Sequence, residues 1–248
     1  MPRNNIRLDT PQQKEIYTRF RYLADRYSAW QTWADFVTLA ACSLSLTDRD
    51  QRKAEYATIA KRYRPEELQR FAEMFALTVD ALEANPCQDF LGDLFMRFDL
   101  GNTWKGQFFT PYPVCQAMSA VTAGRDLQAR IDQEYWIDIN DPACGAGATL
   151  IAFAEICRRQ NVNYQTSVLF VAQDIDRTAA LMCFVQLALL GCAGYIIIGD
   201  SLTTPATGAV LFPKRQDGQE IWYLPMFFSD IWHGRRRIEL MKSILKGE

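Results

Sequence analysis

The sequence predicts an α/β chain: an all-helical region over residues 1–100, then a parallel sheet of strand–loop–helix units over residues 101–248. Three observations carry this. Tyr135 to Arg159 reads as strand, small-residue loop and helix. Two further apolar runs, Ser167 to Gln173 and Tyr195 to Ile198, are each followed by an acid where a strand would end. Upstream of Gly101, apolar side chains recur at helical spacing.

The helical region divides by its punctuation. From Thr10 to about Leu46, residues Ile16, Phe20, Leu23, Tyr27 and Trp30 form one apolar face, which Trp33, Phe36, Val37 and Ala40 extend. Thr47-Asp48 resembles a cap, and Asp50 to Tyr63 forms the next helix. Pro65 opens a third helix, because a first turn tolerates proline and Glu66-Glu67 suits the positive end of the dipole. It runs to Ala84 and stops at Asn85-Pro86. Asp89 to Phe98 reads as a fourth. Gly101 to Pro113 then breaks the pattern, and Pro111 and Pro113 defer the next helix to Val114.

The organising unit is Tyr135 to Arg159. Tyr135-Trp136-Ile137-Asp138-Ile139 alternates as a strand does and stops at Asn140-Asp141-Pro142, where proline withdraws a ladder donor. Cys144-Gly145-Ala146-Gly147 is a loop without bulk, and Ala148 to Arg159 is a helix with two arginines at its carboxyl end. Such a loop lets a ligand approach the backbone, with helix-opening amides facing the crevice. Gly145-x-Gly147-x-x-Leu150 departs from the dinucleotide fingerprint, and Asp141-Pro142 adds a carboxylate that would repel a pyrophosphate. It suits a cationic head, such as the ammonium of an amino acid. Asp174 follows the second strand, where a carboxylate can accept both ribose hydroxyls, and Asp176 caps the helix Arg177 to Leu190. Gly199-Asp200-Ser201-Leu202 closes the third strand. Asp141, Asp174 and Asp200 therefore converge on one crevice.

Bulk properties narrow the setting. The chain has 248 residues, 49% hydrophobic and 23% charged, enough for one large domain or two small ones. No run approaches a membrane span, and MPRNNIRLDTPQQ lacks a signal-peptide core, so the expected location is cytoplasmic with no membrane partner. Seven scattered cysteines read as small buried hydrophobes, and a single histidine, His233, argues against a His-rich metal site. A net charge of −2 gives nucleic acid no global attraction, so any DNA contact must be local. Arg235-Arg236-Arg237 with Lys242 and Lys246 is the densest basic cluster, although a solvated helix end is the simpler explanation for it.

The motifs DPACGAG, GQFFTPYPV, AQDIDRTAALMCFVQLALLG and GDSL, in this order, resemble those of adenine-N6 DNA methyltransferases, in the form used by modification subunits of type I restriction systems. DFLGDLFMRF resembles the family's lead-in helix. The resemblance implies a Rossmann-like S-adenosylmethionine-dependent methyltransferase sheet, here truncated, with S-adenosylmethionine as cofactor and DNA as partner. It implies that Phe109, Thr110 and Pro111 lie against the methionine part. Asp141, Pro142, Ala143, Cys144, Gly145 and Gly147 form the loop around it. Asp174 takes the ribose, and Ile175, Asp200, Ser201 and Leu202 surround the adenine.

The resemblance fails at the catalytic loop, an Asn (or Asp or Ser)-Pro-Pro-aromatic tetrapeptide that clamps the target amino group and stacks on a flipped adenine. No such tetrapeptide occurs in the chain. By position, Ile221-Trp222-Tyr223 is the next strand and Leu224-Pro225-Met226-Phe227 the loop, which leaves Pro225 and Phe227 as the catalytic candidates and Leu224 without an acceptor. Three functions follow: an adenine-specific DNA methyltransferase with a divergent loop, a catalytically impaired cofactor- or DNA-binding subunit, or a methyltransferase for a non-DNA substrate. The sheet edge beyond Ile221 requires cover from the C-terminal helix, from Ala209 to Phe212, or from a specificity subunit, another protein or a second copy.

Overall fold

The computed structural model describes residues 6–100 and 109–246. Five helices come first: α1 (Pro11–Ala24), α2 (Ala29–Leu44), α3 (Arg49–Ala60), α4 (Pro65–Ala84) and α5 (Phe90–Arg97). Thr10 and Gln13 form a capping box that starts α1. The single helix expected over Thr10 to Leu46 is two. Its apolar face is continuous, but the Ser28 hydroxyl accepts from the Gln31 amide and so starts a new helix. At α3, Asp48 is left-handed with φ 49° and its carboxylate makes no cap.

The rest of the chain runs α6 (Tyr112–Ala123), α7 (Leu127–Glu134), β1 (Ile137–Asp141), α8 (Ala148–Arg159), α9 (Tyr164–Ser167), β2 (Val168–Asp174), α10 (Arg177–Leu189), β3 (Ala193–Ile198), β4 (Thr207–Ala209), β5 (Phe212–Lys214), β6 (Glu220–Tyr223), a 3-10 turn (Pro225–Phe228) and α11 (Asp230–Lys246). Helix α6 begins ahead of Val114, because Pro113 falls in the first turn, where its missing N–H breaks no bond. Tyr135 ends α7 in the left-handed region at φ 66°, so β1 opens at Ile137.

The main sheet has the order β1-β2-β3-β6. Its first three strands are parallel, with Asp141 opposite Ala172 and Asp174 opposite Ile198. Strands β2 and β3 are buried on both faces, as a parallel sheet requires. Phe170, Ala172 and Ile196 face α8 and α10, and one continuous core links them to the helical region. Within it the Trp33 indole donates to Met182 Sδ of α10 at 3.3 Å. On the opposite face Leu169, Val171, Tyr195 and Ile197 meet Leu211, Phe227 and Trp232. The loop around Leu211 and helix α11 therefore cover a face of the sheet.

Strand β6 differs from expectation. It lies beside β3 but antiparallel, with Tyr223 opposite Tyr195 and Glu220 opposite Ile198. The cysteines behave as expected: six are buried and Cys87 is half-buried, all with free thiols. Among the described residues no helix is long and apolar enough to cross a membrane.

Candidate functional site

The carboxyl ends of β1, β2 and β3 lie side by side, about 5 Å from strand to strand. At the end of β1 the Asp141 carboxylate accepts from the Ala143 amide at 3.1 Å, turning the chain through exposed Pro142 and Ala143. The buried Cys144 is pinned to β2, its amide donating to the Gln173 carbonyl at 3.0 Å. Gly145 and Gly147 then take φ 53° and 98°. A Cβ on Gly147 would lie 2.9 Å from Cys183 Sγ, and one on Gly145 would lie 3.0 Å from the Phe109 ring. Both glycines are thus required, by backbone conformation and by packing. Because Gly147 offers no side chain to cap α8, that helix presents its positive end to the crevice.

Asp174 ties the neighbouring loops together. One carboxylate oxygen accepts from the Gly145 amide and the other from the Asp176 amide, both at 2.8 Å. Burial pushes the carboxyl groups of Asp141 and Asp174 above their ordinary range, and the negative charge of Asp141 adds to the shift at Asp174. Asp200 behaves in the opposite way. The Leu202 amide and the Thr203 hydroxyl donate to it, each at 2.9 Å, and they hold its carboxyl below the ordinary range. Ser201 is half-buried beside it. Beyond these acids two apolar side chains stand in solvent, Ile175 at 72% and Leu202 at 91% exposure.

Phe109, Thr110 and Pro111 reach the same loop. The Phe109 ring packs between Gly145 and Phe95 of α5, at 5.5 Å from the latter. Thr110 and Pro111 are exposed, and the Thr110 carbonyl accepts from Cys115 Sγ at 3.7 Å. The Thr149 hydroxyl in the first turn of α8 donates to that same sulfur at 3.6 Å.

One side chain absent from the sequence-based site holds the loop in place. Gln186, fully buried in α10, donates to the Ala146 carbonyl at 2.9 Å and to Asp89 Oδ1 at 2.8 Å, and it accepts from the Leu91 amide at 3.0 Å. It joins α5 to the glycine loop. Its signal in the sequence is a lone amide inside the otherwise apolar run LMCFVQLALL.

Pro225 and Phe227 are not at this site. Because β6 runs antiparallel, its carboxyl end meets the beginning of β3, where the Leu224 amide donates to the Gly194 carbonyl at 2.9 Å. Roughly 13 Å of strand separates that end from the acids, at about 3.3 Å per residue. Phe227 is 3% exposed, with the Arg236 guanidinium 4.2 Å from its ring centroid. A side chain enclosed in this way has no face for a base. The expectation failed because a short apolar run such as Ile221-Trp222-Tyr223 carries no information about strand direction.

Over residues 91–238, more than half its length, the sequence matches the N-6 DNA methylase family. The chain belongs to this family. A comparison with curated protein sequences returns no match. Among solved structures the fold is similar to that of a Listeria monocytogenes protein assigned to the class I S-adenosylmethionine-dependent methyltransferases, with 13% identity and a TM-score of 0.43. That alignment covers 81% of this chain and 57% of the other, so the chain spans little more than half of that protein's length.

Membership of the N-6 DNA methylases implies S-adenosylmethionine as the cofactor. The residues present fit it. The glycine loop is held without side-chain bulk against Phe109 and Cys183, carboxylates suited to a cationic amino-acid head and a ribose stand at the ends of β1 and β2, and exposed Ile175 and Leu202 each follow a strand-end acid closely in the chain.

Proposed function

We propose that this N-6 DNA methylase binds S-adenosylmethionine across the carboxyl ends of β1, β2 and β3 for methyl transfer to adenine N6 in DNA. In this reading it resembles the modification subunit of a type I restriction system. One observation carries the reading: the glycine loop, Asp141, Asp174 and Asp200 occupy three adjacent strand ends, with exposed Ile175 and Leu202 at their rim. Asp141 and Thr110 hold the ammonium head, and Phe109, Pro111, Pro142, Ala143 and Cys144 wall the methionine part. Asp174 accepts from the ribose hydroxyls while it keeps its bond from Gly145. Ile175 and Leu202 cover the adenine, whose amino group donates to Asp200 beside Ser201. The bound cofactor supplies an electrophilic methyl group, and the protein contributes by fixing its position.

A second reading follows from the place of Leu224 to Phe227. These residues lie at the far end of the sheet, so the acceptor that clamps a target amino group must come from elsewhere, and by itself the chain is a cofactor-binding subunit. A specificity or other protein subunit that joins it would then complete the enzyme. Isothermal titration with S-adenosylmethionine tests the pocket. We expect 1:1 binding, weakened about 10- to 100-fold by Asp174→Asn, which removes a charged acceptor. Absence of heat with the wild-type chain would overturn the proposal. Transfer of a labelled methyl group to DNA by the chain alone separates the readings, because only the first permits it.

A further inference from the structure

Backbone binding by an N-6 DNA methylase of net charge −2 requires a local group of cations. The Arg235-Arg236-Arg237 run is largely engaged elsewhere. Arg235 donates to the carbonyls of Thr166 and Tyr135, and its guanidinium carbon lies 4.4 Å from the Trp232 ring centroid. Arg236 donates to the Phe227 carbonyl at 2.7 Å. These arginines fasten α11 near the amino ends of the strands, away from the acids.

Another cationic group lies at the opposite end. Arg49, Arg52, Lys53 and Tyr56 occupy positions i, i+3, i+4 and i+7 of α3, and so share a face. With Ser43 in the last turn of α2 and Ser45 at its end they line an open groove of about 430 Å³, and no carboxylate is among its lining residues. Arg52 fixes the floor. Its side chain is 4% exposed, stacks 3.4 Å from the Trp222 ring centroid and pairs from behind the groove lining with Glu220 at 3.4 Å, Glu55 at 3.6 Å and Asp48 at 3.8 Å. Its Nε–H, however, has no hydrogen-bond partner among the described residues. Arg49 and Lys53 are exposed and form no ion pair among the described residues. The uncapped start of α3 adds its dipole to the same field.

The position of the groove matters. Glu220 stands opposite Ile198 in the register and also pairs with Arg177 at 3.2 Å, at the first position of α10. The Arg52–Glu220–Arg177 chain therefore connects the groove to the strand ends that carry Asp174 and Asp200. We propose that the groove between α2 and α3 binds phosphate, and that the phosphate it takes is one in the backbone of the DNA presented to the cofactor crevice. A buried arginine on its floor with two exposed cations at its rim is the donor set such a group requires. The assignment to DNA rests on the methyltransferase reading, whereas the anion site does not.

The test uses the full chain without cofactor and a short fluorescent duplex, with anisotropy followed over a series of salt concentrations. Arg49→Ala/Lys53→Ala should weaken binding about tenfold and reduce the slope of log K against log salt by about 1 to 2, roughly 0.9 per phosphate contact. Lys14→Ala/Arg130→Ala removes the same charge from exposed sites elsewhere and should leave both unchanged. Circular dichroism and cofactor titration show that the variants are folded with an intact pocket. If DNA does not bind but inorganic phosphate does, and the groove variant loses it, the site serves a small phosphorylated molecule and the DNA assignment is overturned. If the groove variant matches the wild type towards both ligands, the anion site itself is refuted. Neither result depends on whether S-adenosylmethionine binds.

Discussion

Gly147 shows how one position can serve both stability and binding. At φ 98°, with Cys183 Sγ 2.9 Å from the place of a Cβ, Gly147→Ala must adopt a left-handed conformation and displace α10. Together these cost about 2–4 kcal/mol, read as a lowered denaturation midpoint, with reduced cofactor affinity because the loop moves with the residue. Asp141 and Asp174 give a pH prediction with two opposite signs. Burial raises both carboxyl groups, so the folded state holds protons that the unfolded chain releases, and these groups stabilise the free protein in acid and lose that contribution as pH rises through the raised range. A cationic cofactor favours the ionised forms. Its affinity should therefore fall as pH is lowered into that range and level off above it. Titrations over a pH series check this: affinity that is flat or improves in acid would exclude both acids from the site. These residues were legible because acids and glycines at strand ends have few uses. Gln186 was overlooked because its role is a matter of what lies across from it.

At the scale of elements, α5 and α10 meet through a buried polar link. Asp89 caps α5 by accepting from Gly92 at 3.0 Å and also receives Gln186, but burial still pushes its carboxyl up to about 6. Because that folded value lies above the unfolded one, the contribution of this carboxyl to stability is fully present below about pH 4 and is lost as pH rises through about 6. Asp89→Asn keeps an acceptor and removes the charge. The variant should lose this slope and gain about 2–3 kcal/mol near neutrality, as chemical denaturation at several pH values would show. Gln186→Leu should do the reverse, leaving the buried Asp89 carboxylate with the Gly92 amide as its remaining donor and costing about 3 kcal/mol. The elements themselves were largely readable. Helices α4 and α8 begin and end where Pro65, Asn85, Gly147 and the paired arginines place them. The break between α1 and α2 was hidden, since the apolar face runs on through Tyr27 and only a serine hydroxyl marks the new start.

For the molecule as a whole, the direction of β6 decides what each end of the sheet does. Parallel β1, β2 and β3 gather the glycine loop and three acids at one end, and Glu220 carries the α3 groove to that same end. The antiparallel return of β6 sends Leu224 to Phe228 to the other end, where Met226, Phe227 and Phe228 build a second core with Tyr195 and Trp232 of α11. Sequence motifs specified the first three strands, because each pairs an apolar run with a loop of restricted chemistry. They could not specify β6, whose placement depends on Trp222 packing at 5.3 Å from Phe184 and beneath Arg52. This separation has a measurable consequence for Phe227, which packs at 5.3 Å from Tyr223 and 6.2 Å from Tyr195. Phe227→Ala removes a buried ring and should cost about 3–5 kcal/mol in chemical denaturation. At a temperature where the variant remains folded, its affinity for S-adenosylmethionine should match the wild type, because the roughly 13 Å of strand between the two ends transmits no contact. Asp174→Asn should show the converse balance, with weakened binding and a smaller stability loss of about 1–3 kcal/mol, because one of the two backbone amides it receives loses its acceptor. A Phe227 variant that is stable but cannot bind the cofactor would place that ring back at the crevice and require a different course for β6.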